Sequence, residues 1–159
     1  MMESTNRQFV KYTFYKVMPK WRHLEEEFRR GAKEEFSGVV EQFRSKLTVR
    51  FYSLMGMRAD AEMMIWLVSP DLETIQDFAV QLAKTTLGSY MTTSYSYLAM
   101  TRHSIYVDEH VESHHQGVER TKIVPMNRPY LFVYPFVKTH SWYQLSADER
   151  QEMMKEHFS

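Results

Sequence analysis

Among the residues of this chain that could do chemistry, the run Tyr130 to Lys138 is the most densely arranged. If it is extended, its side chains alternate. Tyr130, Phe132, Tyr134, Phe136 and Lys138 then share one face, and Leu131, Val133, Pro135 and Val137 the other. The first face is an aromatic wall carrying a phenol and, four residues on, an ammonium, which suits a flat, carboxylated ligand. The same pattern describes a core face whose lysine runs its stem out to water, and spacing alone favours that plainer reading. His157 follows Met153 and Met154 by four and three residues and so shares their side of a helix. A histidine in such a place is more often a hydrogen-bonded core residue than a ligand, although a single imidazole is enough to hold a haem iron. His110, His114 and His115 stand with Asp108, Glu109 and Glu112. These are donors of the zinc type, but no cysteine assists and the spacing matches no strong signature, so a solvated loop accounts for them. His23, His103 and His140 have no evident partner. Five scattered glycines make no phosphate-binding loop, and no Gly-x-Ser-x-Gly elbow occurs.

These residues need elements to hold them. Phe9 to Val17 alternates bulky and polar groups, as a strand does. Trp21, Leu24, Phe28, Ala32, Phe36, Val40, Phe43 and Leu47 then recur every three or four residues and predict a helix, with a break or kink at Gly31. Strands are expected at 47–55 and 63–68, joined through Gly56 to Ala61 as a hairpin. The second is apolar throughout, a sign of burial on both faces. Ser69-Pro70-Asp71 starts a helix with a hydroxyl cap, and Gly88 stops it. Another strand covers 94–102. The order β-α-β-β-α-β is the ferredoxin-like arrangement, an antiparallel sheet with helices on one face, and the fold class is α+β. Ser104 to Lys122 is polar and without period, a long loop. A strand at 130–138 and a helix at 146–158, with Ser146 and Glu149 forming a capping box, then begin a second repeat. The expected organisation is a first repeat at 1–104, a crossover at 105–128 and the beginning of a second repeat at 129–159.

Composition narrows the function. Lys plus Arg and Asp plus Glu are 20 each, and this zero balance supplies no basic footprint for general nucleic-acid binding. At 43% apolar and 25% charged, the chain is not of the disordered class. The longest apolar run, the six residues Met63 to Val68, is far short of the roughly 20 that span a bilayer. Absence of cysteine excludes disulfides, zinc thiolates and thiol catalysis, and fits a cytoplasmic protein. The 12 methionines and 14% aromatics describe either a core of flexible and aromatic side chains or a wall around a flat ligand, and composition favours the core.

The segment LFVYPFVKTHSWYQLSADERQEMMKEH resembles the central part of the chlorite dismutase family, and more closely its coproheme decarboxylase branch. FVKYTFYKV, RADAEMMIWLVSPDLETIQ and SYSYLAMTRHSIY support the resemblance, which runs through nearly the whole chain. It implies two ferredoxin-like repeats closing into an α+β barrel of the dimeric type, subunits in a homopentamer, and haem or iron-coproporphyrin against the second repeat. Carried over by position, His157 matches the axial iron ligand, Tyr134 the redox-active tyrosine of the decarboxylases, and Lys138 the lysine beside a propionate. Trp142 matches a tryptophan of the haem surroundings and Tyr106 a tyrosine near a propionate. Arg120 and Lys122 fall near basic propionate contacts, across a gap in the loop. Phe136 departs from the methionine of some decarboxylases.

The implied activity is hydrogen-peroxide-dependent oxidative decarboxylation of iron-coproporphyrin to protohaem, with Tyr134 and Lys138 as the catalytic pair. Tyr134 favours this over chlorite decomposition, which relies on a distal arginine and, as the family pattern is understood, has no tyrosine at that place. Two other readings stand beside it: chlorite decomposition or a peroxidase-like activity, and a barrel or assembly protein that holds no haem. The family continues for most of a further repeat after the position of His157, and the distal residue over the iron falls beyond Ser159. The expectation is therefore that the chain is a truncated or cleaved product, or that a second polypeptide, the rest of the same gene product, carries the remaining strands.

Overall fold

The computed structural model describes residues 7–101, 122–125 and 129–158, with side chains through Met153 in the last stretch. These fall into two compact units. The first is formed by 7–101 with 122–125 and the second by 129–158.

The first unit contains β1 (Phe9–Val17), α1 (Glu26–Phe43), β2 (Thr48–Ser53), β3 (Met63–Ser69), α2 (Leu72–Lys84) and β4 (Met91–Met100). The strands form one sheet in the order β2-β3-β1-β4, antiparallel throughout. This is the expected ferredoxin-like α+β unit. β1 lies inside the sheet and pairs on both flanks: Thr13 is opposite Ile65 of β3 on one side and Ser96 of β4 on the other.

Alternation along the strands sorts the core. Ile65 and Leu67 of β3 join Phe36, Val40 and Phe43 of α1 and Ile75, Phe78 and Leu82 of α2 in one buried cluster. The helix face of the sheet is thereby fixed, and the edge strand follows it, with the Phe51 ring 6.1 Å from Phe36. The neighbouring positions turn the other way. Val10 and Phe14 of β1 and Met64, Trp66 and Val68 of β3 are buried on the second face. Burial of β3 on both faces is thus as its unbroken apolar run foretold. Magnitudes show where stability resides. Truncating a buried phenylalanine such as Phe78, 1% exposed, costs roughly 3–5 kcal/mol. Exposed pairs such as Arg44–Glu41 at 2.7 Å contribute about 0.3–0.5 kcal/mol.

Several expected boundaries move, each for a local reason. Trp21 belongs to a short 3-10 turn, Pro19–His23, and α1 starts only at Glu26. Gly31 does not break α1, which runs unbroken to Phe43, because packing of Ala32, Phe36 and Val40 outweighs one glycine's propensity cost. Asp71, not Ser69, caps α2: its carboxylate accepts the Thr74 N–H at 2.7 Å, and this bond holds the carboxyl below its usual pKa. α2 ends at Thr85 rather than at Gly88. The Thr85 hydroxyl donates to the Leu82 carbonyl at 2.7 Å and accepts the Gly88 N–H at 3.0 Å. β4 gains three residues at its start, and Ser94 is an extra residue between the pairs Phe14–Tyr95 and Tyr15–Thr93. The β2–β3 connection turns at Gly56, whose φ of 75° favours glycine.

The largest difference is at 130–138. The alternating sequence predicts a strand there, yet none forms: these residues carry no ladder. Alternation specifies which side chains share a face but supplies no hydrogen-bonding neighbour, and among the described residues no strand pairs with this segment.

Two glycines give a paired test. A Cβ on Gly88 would lie 2.1 Å from the Leu82 carbonyl oxygen, whereas one on Gly31 meets nothing within 4 Å. Gly88→Ala should lower stability by about 1–3 kcal/mol, and Gly31→Ala should raise it by about 0.5–1 kcal/mol. Denaturant unfolding of the two variants checks both signs.

Candidate functional site

Caps order the second unit. Thr139 precedes α3 (His140–Gln144), and its hydroxyl accepts the Trp142 N–H at 3.3 Å. Ser146 and Glu149 then form the expected capping box at α4 (Ala147–Phe158). The Ser146 N–H donates to the Glu149 carboxylate at 2.8 Å and the Glu149 N–H to the Ser146 hydroxyl at 3.3 Å. The bonds that this carboxylate accepts hold it below its ordinary pKa.

The two caps bring three side chains together. Lys138 places its ammonium 3.5 Å from the centre of the Trp142 ring, and the Arg150 guanidinium carbon is 5.4 Å from the same centre. Both are within cation–π range. Arg150 is steadied by its Nε–H, which donates to the Ser146 carbonyl at 3.3 Å. Tyr143 packs edge-on against Trp142 at 5.1 Å. Desolvation against this cluster pushes the Lys138 ammonium below its usual pKa, and the Arg150 charge pushes the same way. Two cations on one indole, with the lysine's charged form disfavoured, make a place where a carboxylate would be welcome.

Tyr134 stands four residues before Lys138 and is 73% exposed. Tyr130, Phe132 and Phe136 are exposed like it, whereas Leu131 and Val133 are half-buried. Pro135 and Val137 of the alternate set are exposed as well, so the rings are not consumed as core, but exposure does not single out one face of the run. Lys122 is described and exposed. Tyr106 and Arg120 lie outside the described residues, as do His103, His110, His114 and His115 with their neighbouring carboxylates. His157 falls within α4, and its side chain lies outside the described ones. Among the described residues no group of three metal-type donors occurs. Arg150 is not singled out by spacing. It lies eight residues after Trp142, and only the intervening turn at Leu145 and Ser146 brings it back to the ring.

Solved structures share this fold. A mutant form of chlorite dismutase from Candidatus Nitrospira defluvii superposes with a TM-score of 0.81 at 24% identity, covering 94% of this chain and 63% of that one. A structure described as a novel heme-binding protein from Thermus thermophilus matches with a TM-score of 0.67 at 19% identity, over 94% and 64% of the two chains. The fold is thus that of the chlorite dismutases. The model of the chlorite dismutase family matches residues 29–159, and the chain belongs to that family. A coproheme decarboxylase from Mycolicibacterium smegmatis is 35% identical over 107 residues, which are 67% of this chain and 43% of that protein. The chain therefore matches less than half of this curated relative. The family includes enzymes. No described helix is long and apolar enough to cross a membrane.

The cluster yields a titration test. Replacing Arg150 with Gln removes a repelling charge, so the Lys138 ammonium should titrate at higher pH than in the parent. Side-chain NMR of the lysine Nζ reads the shift, and an unchanged titration in Arg150→Gln contradicts the arrangement.

Proposed function

We propose that this chain is the haem-binding part of a coproheme decarboxylase. On this reading the substrate is iron-coproporphyrin, the oxidant is hydrogen peroxide and the product is protohaem. The observation that carries the reading is the cluster of Lys138 and Arg150 on Trp142, just after a run of exposed aromatic rings, combined with 35% identity to a coproheme decarboxylase. The donor set fits such a ligand: flat exposed rings for a macrocycle, and two cations for a propionate. His157 would hold the iron, with Tyr106, Arg120 and Lys122 as further propionate contacts.

When bound, the iron porphyrin supplies oxidising power from peroxide. The rest belongs to this chain. Lys138 and Arg150 would hold a propionate carboxylate beside Trp142 and so orient the propionate for reaction with Tyr134. The Tyr134 phenol would give up an electron and a proton. The resulting tyrosyl radical would take one hydrogen atom from the propionate β-carbon and become a phenol again. Loss of one further electron and cleavage of the bond to the carboxylate then release carbon dioxide and leave a vinyl group. For each propionate, one peroxide and one proton are consumed, and one carbon dioxide and two waters are formed. A homopentamer and a cytoplasmic site of action belong to the same reading.

Tyr134→Phe in the full-length protein should bind coprohaem as the parent does and yield little or no protohaem with peroxide. Lys138→Ala should weaken coprohaem binding by roughly tenfold, the effect of losing one charge-assisted hydrogen bond. Absorbance titration and product chromatography follow the two quantities. Parent-rate conversion by Tyr134→Phe would sink the mechanism. Rapid oxygen release from chlorite without conversion of coprohaem would make the protein a chlorite-degrading enzyme, and absence of a Soret band would leave the haem-free reading.

A further inference from the structure

A second site lies on the first unit, at the end of the sheet where β1 and β2 begin and β3 ends. A groove of about 430 Å³ opens there beside the α1–β2 corner. Among the described residues, its charged lining residues are Arg44, Lys46 and Arg50, and no carboxylate lines it. The polar wall includes Thr48, and Pro70 and Pro125, two rings without an N–H, close it. The segment that carries Pro125 is tied across the groove, because the Ile123 N–H donates to the Gln8 side-chain carbonyl.

Arg44 and Lys46 have a local explanation, since cations after a helix complement its negative end. Arg44 is also held by Glu41 at 2.7 Å, and the Lys46 ammonium sits 5.2 Å from the Phe43 ring. Arg50 has no such explanation. It stands in β2, beyond the helix and exposed on an edge strand, where its guanidinium donates to the neighbouring Val49 carbonyl at 3.3 Å. In a chain of zero net charge, Lys46 and Arg50, with Arg44 partly compensated by Glu41, make this concavity more positive than the average of the surface. The nearest acid along the adjoining chain, Asp71 beside Pro70, is engaged with the α2 N–H groups rather than with these cations.

We propose that this groove is a binding site for a small polyanion, in which Arg50 and Arg44 grip oxyanions with their guanidinium forks and Lys46 adds a third positive charge. Phosphate and carboxylate groups share that chemistry, and the test separates them. The groove is independent of the haem reading, because none of these residues is assigned to the porphyrin.

The experiment is calorimetric titration of the full-length protein, free of haem, with inorganic pyrophosphate in one arm and citrate in the other. Saturable binding at one site per chain, falling as salt rises, is expected in at least one arm, and the tighter arm names the group. Arg50→Gln should weaken it about tenfold or more, the scale of one charge-assisted contact. Lys33→Gln, which removes an equal charge from the exposed side of α1, should leave it unchanged. Arg50→Gln should also keep the parent's melting temperature, so that loss of binding is not loss of fold. No saturable binding by either anion, or equal weakening by Lys33→Gln and Arg50→Gln, overturns the proposal.

Discussion

Pairing of β1 on both flanks is the constraint from which the first unit follows. Its register with β3 puts Thr13 opposite Ile65 and Tyr12 opposite Trp66, and its register with β4 puts Tyr12 opposite Tyr97. A slip of one residue against β3 would exchange its faces and turn Ile65 and Leu67 away from Phe43 and Phe78, and a slip against β4 would do the same to the side chains of β4. Local bonds guard against this. Glu62 sits where the β2–β3 hairpin returns, and its N–H donates to the Tyr15 carbonyl at 2.8 Å. Its carboxylate accepts the Val17 N–H at 3.2 Å and pairs with Arg22. One acid thus pins the hairpin to β1 and to the 3-10 turn that leads into α1.

The second face of that sheet is unusually aromatic. Phe14 stacks on Tyr95 at 4.3 Å, Tyr95 meets Tyr97 at 5.9 Å, and Tyr12 lies parallel to Trp66 at 6.3 Å. The Arg58 guanidinium covers Tyr95 at 5.4 Å and is itself fixed by two 2.8 Å bonds to Asp60. The extra residue Ser94 works here too, because its hydroxyl donates to the Asp60 carbonyl. The irregular step in β4 therefore anchors the hairpin loop that caps the aromatic row. Trp66 is 8% exposed, and among the described residues its indole N–H has no hydrogen-bond partner. Such a group costs about 1–3 kcal/mol, which the apolar area buried by the rest of the ring offsets.

How much of this could be read from residues alone depended on whether the signal was local. β1 runs from Phe9 to Val17 as alternation indicates, and the capping box at Ser146 forms, because each depends on neighbours within a few positions. The topology is legible for a related reason: four strand-like runs separated by two apolar helical stripes leave few ways to bury both stripes. What failed had either a competing local bond or no partner that the local pattern could supply. Gly88 looks like a helix stop, but the Thr85 hydroxyl has already closed α2 three residues earlier. The run 130–138 has the pattern of a strand, and pattern without a pairing edge gives no ladder. At the site, Lys138 and Trp142 meet at their spacing of four. Arg150 escapes notice in the sequence because a turn between α3 and α4, which periodicity does not register, returns it to the same ring.

The two units are ordered by different forces, and this bears on what the second can do. The first has a shared core of helix and sheet. In the second, most described residues are exposed and no buried residue occurs among them, so the caps of Thr139, Ser146 and Glu149 carry the local geometry. α4 spans 12 residues, near the length at which an isolated helix is marginal in water. Capping bonds add roughly 1 kcal/mol each, enough to choose a conformation and too little to hold it against much load. A ligand that contacts Lys138 and Trp142 before the turn, and Arg150 after it, would bury side chains that are exposed or half-buried among the described residues. Its binding would then be coupled to the stability of α4 by mass action, and part of the intrinsic affinity would go into ordering that helix.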